Sequence, residues 1–338
     1  MIYSTNYIIW GSVMNRKIIF ALSLALFVFF TACSRQQRDK PEDDFQVRPL
    51  DGGKSLEIAG YTGKTQVVNI PSKLYGIPVT GIGKAAFHKK EIIKVTIPKS
   101  VTVIGDRAFA ENLLTRVTIG RGVKTIGAEA FIDNLLTRVT IGRGVKTIGE
   151  GAFQGNQISG VAIPDSVSAI GAEAFAGNPL SSLSLSQSNA AFTAKNSCLL
   201  SKDETQVIFY FGAGKDAVIP EGVTVIGPGA FSGNQLTGVT IPNSVTVIEH
   251  RAFRQNQLTS VIIPDSVTTI GDLAFAGNQI TSITIGTNVD VGRSSLDDSG
   301  YFNYTYANYG RRGGTYVMRN GYWSRQTQDW DSGLGSGE

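Results

Sequence analysis

The chain of 338 residues contains only two cysteines and two histidines. One cysteine, Cys33, lies in an N-terminal apolar segment, which leaves Cys198 alone in the rest of the chain. Neither a disulfide framework nor a cysteine-based metal site can be built from one thiol. His88 and His250 stand far apart in sequence. Each is expected to be a surface residue of a bend, not a general base or a ligand. Phosphate-binding loops are missing as well. Gly53-Lys54-Ser55 and Gly63-Lys64-Thr65 have the end of such a motif, but its leading glycine would fall on Arg48 or Ile58. No stretch interleaves basic and aromatic residues as nucleic-acid binders do, so no nucleic-acid partner is expected. With a net charge of +4 and no catalytic constellation, the composition points away from an enzyme, and no cofactor is expected.

What the chain does have is a period. Phe87, Phe109, Phe131, Phe153 and Phe175 stand 22 residues apart, and Phe231, Phe253 and Phe275 resume the spacing. Aligned on it, each unit has the pattern [L/I]-x-x-V-x-I-[P/G]-x-x-V-x-x-I-x-x-x-A-F-x-x-N, as from Leu236 onward. A period in the low twenties with this pattern is that of leucine-rich repeats. No coil of such a solenoid buries its own apolar residues, so each stacks on its neighbours.

Within a unit, Leu236, Val239 and Ile241 alternate with Gly238 and Thr240, which predicts a strand with one outward face. Proline or glycine then ends the ladder (Pro242, Pro264, Gly286). The segment from Val245 to Phe253 returns along the other side. Asn112, Asn134, Asn156, Asn178, Asn234, Asn256 and Asn278 share one register. They are expected to bond backbone groups at the bend that burial would otherwise orphan.

The run Ile-Pro-x-x-Val-x-x-Ile-Gly-x-x-Ala-Phe, clearest at Ile97–Phe109, Ile163–Phe175 and Ile219–Phe231, resembles the BspA-like leucine-rich repeats of treponemal and other bacterial surface proteins. The likeness covers about residues 58–290. It implies a β-rich solenoid of about ten coils, with short strands on one face and terminal caps. One departure is the Asn after Ala-Phe, where the family often has Cys.

The expected organisation is a lipoprotein signal peptide over 1–33, a flexible tether over 34–54, the solenoid over 55–291 and an aromatic-rich C-terminal cap over 292–338. The first coil is expected at 58–91 and a hairpin insertion at 197–211. Asn15-Arg16-Lys17, an apolar run from Ile18 to Phe30 and Thr31-Ala32-Cys33 have the layout of a secretory signal. Cys after small residues resembles a lipobox, which implies cleavage before Cys33 and lipid on its sulfur. The run is shorter than the ~20 residues a membrane helix needs. Met14 is a second candidate start, because Met1 to Val13 lacks a basic opening. The polar stretch from Ser34 to Lys54 is expected to be too poor in apolar residues to fold alone.

Two coils are near-copies: 112–127 and 134–149 share one sixteen-residue sequence. The duplication repeats Arg116 and Arg138 at an outward strand position beside Thr118 and Thr140. Lys94 and Thr96 extend the row by one coil. Residues 84–150 hold twelve Lys and Arg against six Asp and Glu, and residues 151–290 hold five against ten. These charges either keep an elongated surface soluble or form a basic patch for an acidic glycan or an acidic protein. In the tail, Tyr316 and Trp323 belong to a crowd of aromatics that either caps the last coil or forms a platform for sugars. The functional expectation is a lipid-anchored, surface-displayed binding protein of adhesin type. Its partner would be a host matrix protein, a bacterial surface protein or an acidic glycan. The alternative is a periplasm-facing envelope scaffold without a host ligand.

Overall fold

A computed structural model of the protein describes residues 41–296 and 301–326. It is a solenoid of about 11 turns with a period of ~22. Each coil contributes two short parallel ladders. In the outward one, Arg116–Ile119 pairs in parallel with Arg138–Ile141, each residue facing the one 22 positions on. Both strands alternate exposed and buried residues, as a two-residue side-chain period requires. The return ladder is two residues wide in each coil, as in Val103–Ile104, Thr125–Ile126, Thr147–Ile148 and Ala169–Ile170. Between the ladders lie the stacked phenylalanines. Phe87, Phe109, Phe131, Phe153 and Phe175 have adjacent centroids 5.0–5.4 Å apart and planes within 11° of parallel.

The glycine after most return strands is set by the tightness of the coil, Glu249 taking that place after Val247–Ile248. A Cβ on Gly149 would come within 2.5 Å of the backbone nitrogen of Ala128, and one on Gly127 within 2.6 Å of that of Asp106. Only a residue without a side chain lets these backbones approach. Left-handed positions recur too. Gly233, Gln255 and Gly277 hold one register with φ of 71°, 56° and 70°. Gln255 is exposed, and the left-handed region costs an ordinary L-residue roughly 1–2 kcal/mol. Glycine gives back about 0.5–1 kcal/mol through the freedom of the unfolded chain. Gln255→Gly is therefore expected to stabilise the protein by about 0.5 kcal/mol, seen as a higher urea midpoint at unchanged slope; a lower midpoint would refute it.

The asparagine register forms the expected ladder. Asn134 Nδ2 donates to Phe109 O in the preceding coil at 2.9 Å and to Phe131 O at 3.2 Å in its own. Its Oδ1 accepts Leu114 N of the preceding coil at 3.1 Å. Asn112, Asn156, Asn178 and Asn256 repeat this arrangement in buried positions. Asn234 departs from it and bonds only Ser232 O.

The tether expected over 34–54 is corrected from residue 45 on. Phe45–Leu50 is a strand, paired antiparallel with Ser55–Tyr61, which itself pairs with Ile77–Ile82 of the first coil. The polar average of that stretch concealed Phe45, Val47 and Leu50. Phe45 is buried, 5.4 Å from Tyr61 and 6.4 Å from Phe87 by ring centroids, so it closes the open end of the phenylalanine stack. The expected signal peptide, Cys33 and residues 34–40 lie outside the described residues.

The expected hairpin at 197–211 is present and has a third strand. Phe192–Lys195, Cys198–Ser201 and Gln206–Tyr210 form an antiparallel meander, whose last strand pairs in parallel with Val225–Ile226 of the next coil. Its faces look in opposite directions. Leu199 and Phe209 belong to the core of the first half, and Cys198, Leu200 and Tyr210 to the core of the second. On the outward side Ser182–Leu185 pairs only with Gly160–Ile163, and Asp216–Val218 only with Gly238–Thr240. Outward pairing also lapses between Lys94–Thr96 and Arg116–Ile119, between Arg138–Ile141 and Gly160–Ile163, and between Gly238–Thr240 and Ser260–Ile262, but at the meander the return ladder stops as well, between Ala169–Ile170 and Phe192–Lys195. At the far end, the helix Tyr301–Asn308 and the strands Gly314–Arg319 and Tyr322–Arg325 close the solenoid, the first of these strands pairing antiparallel with Ser282–Ile285.

Candidate binding face

The strand register brings the predicted outward residues together. Arg116 stands beside Arg138 and Thr118 beside Thr140 in the parallel ladder. Lys94 and Thr96 lie on the outward strand of the coil before, and all six are exposed. Lys99, Arg121 and Arg143 follow at the turn, with Lys124 and Lys146 beyond, all exposed as well. Among the described residues none of these eight cations has a carboxylate partner. The opposite edge of the same coils is different. There Lys89 reaches Glu111 at 2.9 Å, and Arg107 reaches Glu111 at 3.1 Å and Glu129 at 2.8 Å. A hydrogen bond from Lys89, with its charge and those of His88 and Arg107, holds the Glu111 carboxyl below its ordinary value. The chain neutralises one edge and leaves the strand face cationic.

Between these cations runs an open groove of about 930 Å³, lined by Val67, Ile93, Leu113 and Leu135 along with Lys94, Lys99, Arg116, Thr96 and Thr118. The four aliphatic side chains are 41–47% exposed. The repeat pattern hid them, because Leu113 and Leu135 directly precede the core leucines of the repeat, Leu114 and Leu136, and look like part of the core. The discriminating signal is that the same register holds Gln157 two coils on from Leu113.

Tyr316 and Trp323 are corrected as binding candidates. Tyr316 is fully buried and Trp323 is 6% exposed. Phe302 meets Tyr316 and Trp323 edge-on at 5.6 and 5.2 Å, and Tyr306 meets Tyr316 at 5.7 Å. Tyr316 Oη donates to Arg312 O at 2.7 Å. Burial pushes the Tyr316 and Tyr306 hydroxyls above their ordinary pKa. These rings are the core of the terminal cap. The exposed aromatics among the described residues of the tail are Tyr301, Tyr304, Tyr309 and Tyr322, which sequence could not separate from the buried ones because the crowd has no single period. Elsewhere, burial pushes the Cys198 thiol up to about 12. His88 lies 3.7 Å from Glu111, and His250 is exposed. Among the described residues no group of three or more His, Cys, Asp or Glu could hold a metal ion.

The chain matches the model of the BspA-type leucine-rich repeat region in 6 copies, over residues 80–198 and 206–305. It belongs to that family. Two solved structures share its architecture. The pneumococcal vaccine antigen PcpA superposes with a TM-score of 0.55 at 24% identity, covering 74% of this chain and 69% of its own. A leucine-rich repeat protein from Eubacterium ventriosum gives 0.51 at 24% identity, covering 70% and 68%. No curated protein matches the chain.

Proposed function

We propose that the protein is a lipid-anchored binding protein of adhesin type, displayed on the cell surface, whose strand face over residues 67–140 engages an acidic partner. The observation that carries this reading is the three-coil row of unpaired cations bordering an exposed aliphatic groove. Solenoids of this class work by presenting extended surfaces to partners. A face that is both cationic and partly apolar is suited to an acidic glycan or an acidic protein. That a pneumococcal neighbour of the same fold is described as a vaccine antigen agrees with display outside the cell.

Exposed charge pairs contribute less than about 1 kcal/mol each, so single substitutions should do little. The combined variant Lys94→Ala, Arg116→Ala, Arg138→Ala is expected to bind a sulfated glycan or an acidic matrix protein roughly tenfold more weakly, since three such contacts sum to about 1.4 kcal/mol. Wild-type binding should fall as salt shortens the screening length. Full binding by the triple variant, measured by surface plasmon resonance, would remove the site from this face. For the anchor, Cys33→Ser is expected to abolish fatty-acid labelling and detergent-phase partitioning; persistent partitioning would refute lipidation. Digestion by protease on intact cells separates surface display from the periplasm-facing scaffold, which would be protected.

A further inference from the structure

The charge at the turn following each outward strand changes sign along the solenoid. Directly after the turn proline or glycine come Lys99, Arg121 and Arg143 in the first half. The same position carries Asp165, then Glu221, Asn243 and Asp265 in the second half. All seven are exposed, and among the described residues none takes part in an ion pair. At the start of the outward strands, Arg138 and Asp216 show the same reversal. Between the two rows, the outward position of Thr96, Thr118 and Thr140 is taken by Val218, Thr240 and Ile262. Val218 is 55% and Ile262 70% exposed, the two most exposed large aliphatic side chains among the described residues.

We infer that this face pairs with a second copy of the chain, strand face against strand face, with the two solenoid axes antiparallel. The two-fold axis runs along the strand direction, so each row meets its own counterpart in reverse order. Arg143 then opposes Glu221, Arg121 opposes Asn243, Lys99 opposes Asp265 and Arg138 opposes Asp216. Ile262 and Val218 are covered by the threonine row and the aliphatic margin of the partner's groove. Both series advance by 22 residues, so aligning one pair aligns the others, whatever the spacing across the interruption between Ser182–Leu185 and Asp216–Val218. Each contact occurs twice, as a closed isologous dimer demands. A two-fold axis along the solenoid would instead set cation row against cation row.

With strands ~4.8 Å apart and ~3.3 Å per residue along them, the paired coils cover roughly 35 Å by 17 Å, about 600 Å² per protomer. That is the low end of specific interfaces. The dimer is therefore concentration-dependent and weakened by salt. Antiparallel axes place the two chain beginnings at opposite ends of the pair. If each is anchored at Cys33 as proposed above, the pairing joins two facing membranes.

Sedimentation of the full chain in non-ionic detergent tests this without any other ligand, so the outcome is independent of the fate of the proposed acidic partner. Wild type is expected to dimerise at about 0.05 M salt and to dissociate at about 0.5 M. Lys99→Glu with Arg143→Glu, and separately Glu221→Arg with Asp265→Arg, should each weaken self-association at least tenfold. All four residues are exposed, and an equimolar mixture of the two variants should restore dimers by pairing one with the other, which also shows that both are folded. A monomeric wild type at about 100 µM, variants that dimerise as wild type does, or a mixture that stays monomeric would each overturn the proposal.

Discussion

Asn156→Ala should lower the unfolding free energy by about 3–5 kcal/mol. Asn156 Nδ2 donates to Phe131 O and Phe153 O at 2.9 Å and to Gln154 O at 3.2 Å, while its Oδ1 accepts Leu136 N at 3.0 Å. Alanine orphans Leu136 N in a buried bend, at about 1–3 kcal/mol, and removes three further bonds at about 0.5–1.5 kcal/mol each, although Phe131 O keeps Asn134 Nδ2, Phe153 O keeps Asn178 Nδ2 and Gln154 O keeps Asp133 N. Two coils lose a shared fastener at once. Asn234 supplies the control, because it bonds only Ser232 O, at 3.3 Å. Asn234→Ala should cost under about 1 kcal/mol. Equal shifts of the two variants in urea unfolding would show that the ladder's bonds do not set the stability of the bend.

Phe131→Ala should cost about 3–5 kcal/mol, the range for removing a buried aromatic ring. Phe131 is wholly inaccessible to solvent and stacked between Phe109 at 5.2 Å and Phe153 at 5.4 Å. Neighbouring coils are held apart by their backbone ladder and cannot collapse into the space, so the cavity term persists. Phe131→Leu, which refills much of the volume, should recover more than half of the loss. Equal destabilisation by both substitutions would indicate that ring stacking, not volume, dominates.

The repeat was legible because one residue in each coil performs one task, so a single alignment exposes core, bend and outward face together. Phe131, Asn156 and Arg116 were all placed by counting from the period. Where the chain leaves the period, counting carries no information and composition misleads. Phe45 sits in a polar segment, yet its ring joins Tyr61 in closing the stack, and a segment average dilutes one ring. Tyr316 and Trp323 failed as candidates for the opposite reason. A crowd of aromatics has many members, and only packing decides which of them face inward. On the binding face the cations were visible and the exposed Leu113 and Leu135 were not, since adjacent leucines in a repeat look alike until the strand assigns one of them outward.

The three-stranded meander at 192–210 also alters how the rod can fail. A one-dimensional stack loses order coil by coil, and how far disorder spreads depends on the strength of each junction. Phe209 continues the first half's ring stack, 5.2 Å from Phe175 but tilted by 47°, whereas its neighbour Tyr210 begins the second, 5.2 Å from Phe231. Adjacent residues on one strand thus serve opposite sides of a partition, and no outward ladder bridges it. Melting that starts at either end meets a weak joint there and stops, which leaves half a solenoid still wound, with the basic coils on one side of the joint and the acidic coils on the other.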